Sequence, residues 1–163
     1  MLSFGKPDGQ RDFELYSEIR QKAPKWFLSC LGLDNGDSSP FILWLHSFRV
    51  TWLRSENAVV FLVSGTQKHV IEAHLALFAP SDVVMPELRK LLDWVFMLGW
   101  KRVEIPVTSN AGRTIRRMMT EMGFRNEGTL RAAQHGHDMR LGREAYLDVE
   151  MWAILAEGVN HGV

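Results

Sequence analysis

Apolar and polar positions change their period several times along the chain, and each change marks an element. Between Arg11 and Leu31, Phe13, Tyr16 and Ile19 fall on one face at helical spacing. Pro24 bends or breaks that helix before Trp26, Phe27, Cys30 and Leu31, because proline has no N–H for an interior turn. The segment Leu33–Pro40 reads LDNGDSSP, which is turn chemistry and too short for a domain linker. Phe41–Ser64 reads mainly as strand. Val50, Trp52 and Leu53, then Val59–Val63, flank the turn-like Ser55-Glu56-Asn57 and predict a β-hairpin, while Phe41–Phe48 fits a helix or a strand. After a turn at Gly65-Thr66-Gln67-Lys68, His69–Ala79 alternates strictly. Ile71, Ala73, Leu75 and Leu77 lie on one side, and Val70, Glu72, His74, Ala76 and Phe78 on the other.

The period then lengthens. Leu88, Leu91, Leu92, Val95 and Phe96 predict an amphipathic helix, with Pro86 in its first turn and Gly99 as its C-terminal cap. Lys101–Val107 predicts a strand. Ile115, Met118, Met119 and Met122 share a face of a second helix that Gly123 ends. Gly128–Ala133 and Leu147–Leu155 read as closing strands, with a Gly- and His-bearing connection between them. The order α, β, β, β, α, β, α, β, β predicts an α/β fold with a mixed sheet flanked by helices.

Composition narrows the choice. A chain of 163 residues, 46 % hydrophobic and 23 % charged, predicts one domain with its own core and no need of a metal or disulfide staple. Lys plus Arg and Asp plus Glu each number 19, so the formal charge is zero. Neutrality argues against a nucleic-acid coat or a polybasic membrane binder, and is compatible with a homodimer. The single Cys30 forbids an intrachain disulfide and a Cys-based zinc site, and fits a reduced, cytoplasmic setting. Residues 1–10 lack the apolar core of a signal peptide, and no apolar run approaches the roughly 20 residues that span a bilayer. The six Trp and nine Phe predict an aromatic-rich core, with a groove or partner surface as the alternative.

Four features bear on chemistry. The strand His69–Ala79 runs through Pro80–Met85 toward a helix, a natural anion site because free N–H groups and the helix dipole point outward there. Glu72 and His74 share a strand face, either as a carboxylate–imidazole pair able to take a proton from an amine or as a satisfied polar pair. Arg113, Arg116 and Arg117 could meet phosphate or form a solvated helix face. His135 and His137, with Asp138, have His-x-His metal-ligand spacing without a further ligand cluster; a polar hairpin tip and no metal are expected.

The C-terminal half carries a resemblance. Leu98–Glu104 (LGWKRVE), Ser109-Asn110, Ile115–Met118 (IRRM), Met122–Arg131 (MGFRNEGTLR) and Asp148–Leu155 (DVEMWAIL) resemble the GNAT superfamily of acetyl-CoA-dependent N-acetyltransferases, most closely the branch that acetylates ribosomal-protein N-termini. The likeness covers about Val70–Leu155. It implies a single GNAT-like domain over residues 1–163, with a helical N-terminal segment over residues 1–39 and a core over residues 40–156. It also implies acetyl-CoA as co-substrate, an amine acceptor, and a cofactor lying between the strands His69–Ala79 and Lys101–Val107. Glu72 becomes the expected general base, with His74 second. The backbone of Leu77, Phe78 and Ala79 is expected to hold the pantetheine arm. Ser81, Asp82, Val83, Val84 and Met85 are expected to face the pyrophosphate, with Asn110, Arg113 and Arg116 as further cofactor contacts. The chain departs from the family pattern in three places. The glycine-rich pyrophosphate loop is replaced by Pro80–Met85, the helix Asn position falls on Gly112, and the general-acid Tyr position falls on Met119. A GNAT-fold protein without catalysis is therefore the alternative reading.

Overall fold

Among the described residues of this computed structural model (3–31, 33, 36–48, 50–65 and 67–157), the chain forms β1 (Ser3–Gly5), α1 (Gly9–Lys22), α2 (Lys25–Cys30), α3 (Ser39–Ser47), β2 (Thr51–Arg54) and β3 (Ala58–Ser64). There follow β4 (Val70–Leu77), α4 (Ser81–Met97), β5 (Arg102–Thr108), α5 (Arg113–Glu121), β6 (Arg125–Asp138) and β7 (Arg143–Leu155). Positions 34, 35 and 66 of the predicted turns, and the side chains of Trp26 and Cys30, lie outside the described set.

Pro24 divides the N-terminal helical pattern into α1 and α2. The ambiguous stretch Phe41–Phe48 is helical. The Asp37 carboxylate accepts the Ser39 N–H at 2.9 Å, Pro40 sits in the first turn, and Phe41 and Leu45 bury one stripe. The helix placed after Pro86 starts five residues earlier. Pro80 precedes its first turn, and Pro86 lies inside it, where the missing N–H leaves the Asp82 carbonyl without its helical donor. The predicted connection after Ala133 is itself strand. Gln134–Asp138 pairs with Arg143–Leu147, and the turn between them ends on Gly142 at φ +65°. The three-residue β1 at the sheet edge has no counterpart in the sequence pattern.

The seven strands form one sheet in the order β1-β2-β3-β4-β5-β7-β6. Every pairing is antiparallel except β4 with β5. Alternation in β4 sends Ile71, Ala73, Leu75 and Leu77 to one face, where Leu88, Leu91 and Val95 of α4 and Ile115, Met118 and Met119 of α5 bury against them. The opposite face packs on α1, α2 and α3 through Tyr16, Ile19, Phe27, Phe41, Trp52 and Phe61. Most of the aromatic load is thus core, though Phe4, Phe13 and Phe48 are exposed. Among the described residues no helix is long and apolar enough to cross a membrane.

Candidate active site

The parallel ladder between β4 and β5 has three register pairs, Val70 with Arg102, Ile71 with Val103 and Glu72 with Glu104, and then stops. Both strands continue, to Leu77 and Thr108. The cause lies in β5. Arg102 N–H donates toward β4, to the His69 carbonyl, at 3.1 Å. By alternation Glu104 and then Pro106 face the same way. Pro106 has no N–H, so the ladder cannot extend past Glu104. The result is a fork in the middle of the sheet.

The same alternation shows what β4 presents to the fork. The His69 carbonyl points to β5, whereas Phe78 N–H donates to the Asn57 carbonyl on the β3 side at 2.8 Å. The backbone groups of Ala73, Leu75 and Leu77 therefore face the fork. Of the three residues expected to hold a pantetheine arm, Leu77 has its backbone on that edge, while the Phe78 N–H already has a partner. Glu87 on α4 braces this junction from outside. Its carboxylate accepts from Ser55 Oγ, from Asn57 N–H at 3.0 Å and from Asn57 Nδ2 at 2.7 Å, which fixes the turn that receives Phe78.

Glu72 and His74 project from β4 on the aromatic side, side by side. His74 Nε2 lies 2.7 Å from Glu72 Oε1. The imidazole is 9 % exposed and the carboxylate 41 %. The hydrogen bond from His74 holds the Glu72 carboxyl below the usual carboxylate range, against the opposing effect of partial burial. Trp44 of α3 meets the His74 ring edge-on, centroids 5.6 Å apart. The imidazole is thereby gripped by a carboxylate and an indole. His74 also lines the interior of the fork, with Phe27, Leu75, Ile105, Val107 and Met119, around a volume of about 10 Å³.

The other expected site residues separate. Ser81–Met85 is no loop: it is the first turn and a half of α4, at the exit of β4. Val84 is fully buried in the core and Met85 packs against it, so their side chains are turned away from any ligand at the helix end. The N–H groups of Val83 and Val84 reach the Pro80 carbonyl at 3.0 and 3.1 Å. Ser81 and Asp82 occupy the first two helical positions, and Asp82 and Val83 are exposed. Ala79 packs partly against the aliphatic core. Arg113 is the first residue of α5 and is exposed. Arg116 is held internally: its Nε lies 3.0 Å from both Glu150 oxygens, and its Nη1 donates to the Ala111 carbonyl. Asn110 ties the β5–α5 loop to the β6–β7 hairpin, donating to the His137 carbonyl at 2.8 Å and accepting Met139 N–H at 3.0 Å.

Three more placements matter. Met119, which the sequence resemblance aligns with a tyrosine, lines the fork as a fully buried apolar side chain. Tyr146 lies far out on the hairpin, 69 % exposed and edge-on to His135. His135 and His137 flank Glu144 across the ladder, each Nδ1 3.7 Å from one of its oxygens. Among the described residues no group of three His, Cys, Asp or Glu side chains is arranged to hold a metal ion. Sequence reading missed Phe27, Pro106 and Glu87. A proline inside KRVEIPV was the available signal for Pro106; the others depend on contacts distant in sequence.

No family model matches the sequence, and no curated protein matches it. Solved structures do match. The ribosomal-protein-S18-alanine N-acetyltransferase of Escherichia coli superposes with a TM-score of 0.63 at 13 % identity, covering 100 % of this chain and 99 % of that one. A GNAT-family acetyltransferase of Streptococcus pneumoniae gives 0.58 at 12 %, covering 96 % and 100 %. The spermidine N-acetyltransferase of Vibrio cholerae, solved as a dodecamer, gives 0.61 at 16 %, covering 94 % and 93 %. The fold is that of the GNAT acetyltransferases. At these identities the likeness extends to the fold alone.

Proposed function

We propose that this chain transfers an acetyl group from acetyl-CoA to a primary amine. The observation that carries the reading is the fork itself: a parallel strand pair parted by Pro106, with a free β4 backbone edge and a gripped imidazole on its wall. The pantetheine arm would pair with the edge at Leu75 and Leu77, and the pyrophosphate would meet the first turn of α4 at Ser81 and Asp82, with Arg113 in reach of the same end of the sheet. The amine nitrogen attacks the thioester carbonyl, the C–S bond breaks, and the departing thiolate receives, through His74, the proton that the amine loses.

We assign the base to His74, the second choice on sequence, rather than to Glu72, the first. A carboxylate held below its ordinary range is a weaker base, whereas its hydrogen bond orients the imidazole and stabilises the imidazolium that forms. Setting the amine against the thioester supplies most of the remaining acceleration. A cytoplasmic location and a homodimer fit this reading.

Two observations favour a second reading, a catalytically inactive GNAT-fold structural or interaction protein: the fork holds only about 10 Å³, and Asp82 places a carboxylate at the helix end expected to meet phosphate. Calorimetric titration with acetyl-CoA, followed by a thiol-release assay over an amine panel that includes spermidine and a peptide with N-terminal alanine, separates the two. Binding with transfer supports the enzyme. Binding without transfer to any amine supports the second reading, and so does no binding, which overturns acetyl transfer alone.

A further inference from the structure

We propose that Phe27 and Met119 restrict the acyl group this chain accepts to the two carbons of acetyl, a specificity that rests on the acetyl-transfer reading above. At the fork, side chains from both layers of helices meet through the sheet. Phe27 comes from α2 on the aromatic side, and Met119 from α5 on the aliphatic side. Both line one gap, whose other walls include His74 and Leu75 of β4 and Ile105, Pro106 and Val107 of β5. The volume left, about 10 Å³, is that of roughly one water-sized group.

The walls are stiff. Leu75, Ile105 and Val107 belong to strands held in the sheet by β3 and β7. Phe27 is 1 % exposed and stacks on Phe61 with centroids 5.8 Å apart. Met119 has no exposed surface. A methyl group enters such a space with small side-chain adjustments. Another methylene requires one of the two helix side chains to leave a packed position, and overpacking a dense interior is costly. A methionine at the family's tyrosine position thus serves as a chamber wall.

The test measures kcat/KM for acetyl-, propionyl- and butyryl-CoA by thiol release with one fixed amine, beside calorimetric affinities for the same thioesters. The wild type is expected to prefer acetyl over propionyl by about 10–200-fold, the usual value of one methylene in a closed apolar pocket. Met119→Ala and Phe27→Leu, which shorten the wall from opposite sides, should each cut that preference by about tenfold or more. Met118→Ala is the control, since Met118 is equally buried on the same helix but does not line the fork. It should lower the melting temperature and leave the acyl preference unchanged. A wild type that uses propionyl-CoA as readily as acetyl-CoA overturns the inference, as does a preference unmoved in both wall variants. If the wild type neither binds nor turns over any acyl-CoA, the acetyl-transfer reading itself has failed and the chamber falls with it.

Discussion

Among the described residues, two short carboxylate–imidazole pairs of nearly equal length have opposite burial. At the fork, His74 lies 2.7 Å from Glu72, with the imidazole 9 % exposed and the carboxylate 41 %. Between α1 and α3, His46 lies 2.8 Å from Asp12, with the imidazole 47 % exposed and the carboxylate fully buried. The buried member sets what each pair does. A buried carboxylate must have its charge answered, and Asp12 has both oxygens occupied: Oδ1 accepts Asp8 N–H at 3.1 Å and Oδ2 meets His46. That pair is a latch that closes α1 and α3 over the aromatic core. A buried imidazole beside a partly solvated carboxylate is instead a group whose orientation is fixed and whose proton can still change hands. Ion-pair geometry alone would have ranked the two pairs as equals.

The largest expected effect falls on the fork pair. His74→Gln should lower kcat by about 10²–10⁴-fold with little change in melting temperature, because it removes the proposed general base and keeps most of the side-chain volume. If kcat holds in that variant, the distinction between the pairs collapses. His46→Ala should do the reverse. It leaves the Asp12 carboxylate buried with one oxygen unanswered, which costs about 1–3 kcal/mol in urea unfolding, while kcat per folded molecule stays at the wild-type value.

A subtler difference is written in acid. The His74 hydrogen bond depresses the Glu72 carboxyl in the folded state. A depressed carboxyl adds stability that is fully present above its unfolded value of about 4.3 and is lost as pH falls through the folded value. Melting curves taken from neutral pH down through about pH 4 should therefore drop less steeply for Glu72→Gln than for the wild type. Any limb of the pH–rate profile near neutrality should survive in Glu72→Gln, since Glu72 is already ionised there. Loss of that limb would restore Glu72 as the base. The smallest effect is expected at Asp82. Asp82→Asn removes a favourable charge from the first turn of α4, about 0.3–1 kcal/mol of stability, yet should tighten acetyl-CoA binding in calorimetry by relieving repulsion. Weaker binding in that variant would place the pyrophosphate elsewhere.

Much of the fold was legible because the periods are clean. Strict alternation in His69–Ala79 located β4 and assigned its faces, and the leucine spacing after Leu88 located α4. Element ends were less legible where two rules compete. Pro86 read as a helix start, since proline suits a first turn, but the helix runs through it because Val84 and Leu88 bury on the same face. Phe41–Phe48 fits a helix or a strand by composition and became α3, as two of its positions, Phe41 and Leu45, needed one stripe toward the aromatic core. Glu72 and His74 were paired by parity alone, and the structure joins them.

By itself, then, the sequence determined the kind of sheet, the two faces of β4 and the adjacency of Glu72 and His74, because each follows from repeats of two or 3.6 residues within a single element. Only the tertiary structure decided which of the two is buried, since that depends on Trp44 arriving from α3. It alone decided that Arg116 is taken by Glu150 and Asn110 by the β6–β7 hairpin. It alone decided that Phe27 and Met119 line the same cavity at the fork. Two residues so distant in the chain, on opposite sides of a sheet, share no local pattern. They line one cavity where the β4–β5 ladder has ended at Glu72 and Glu104.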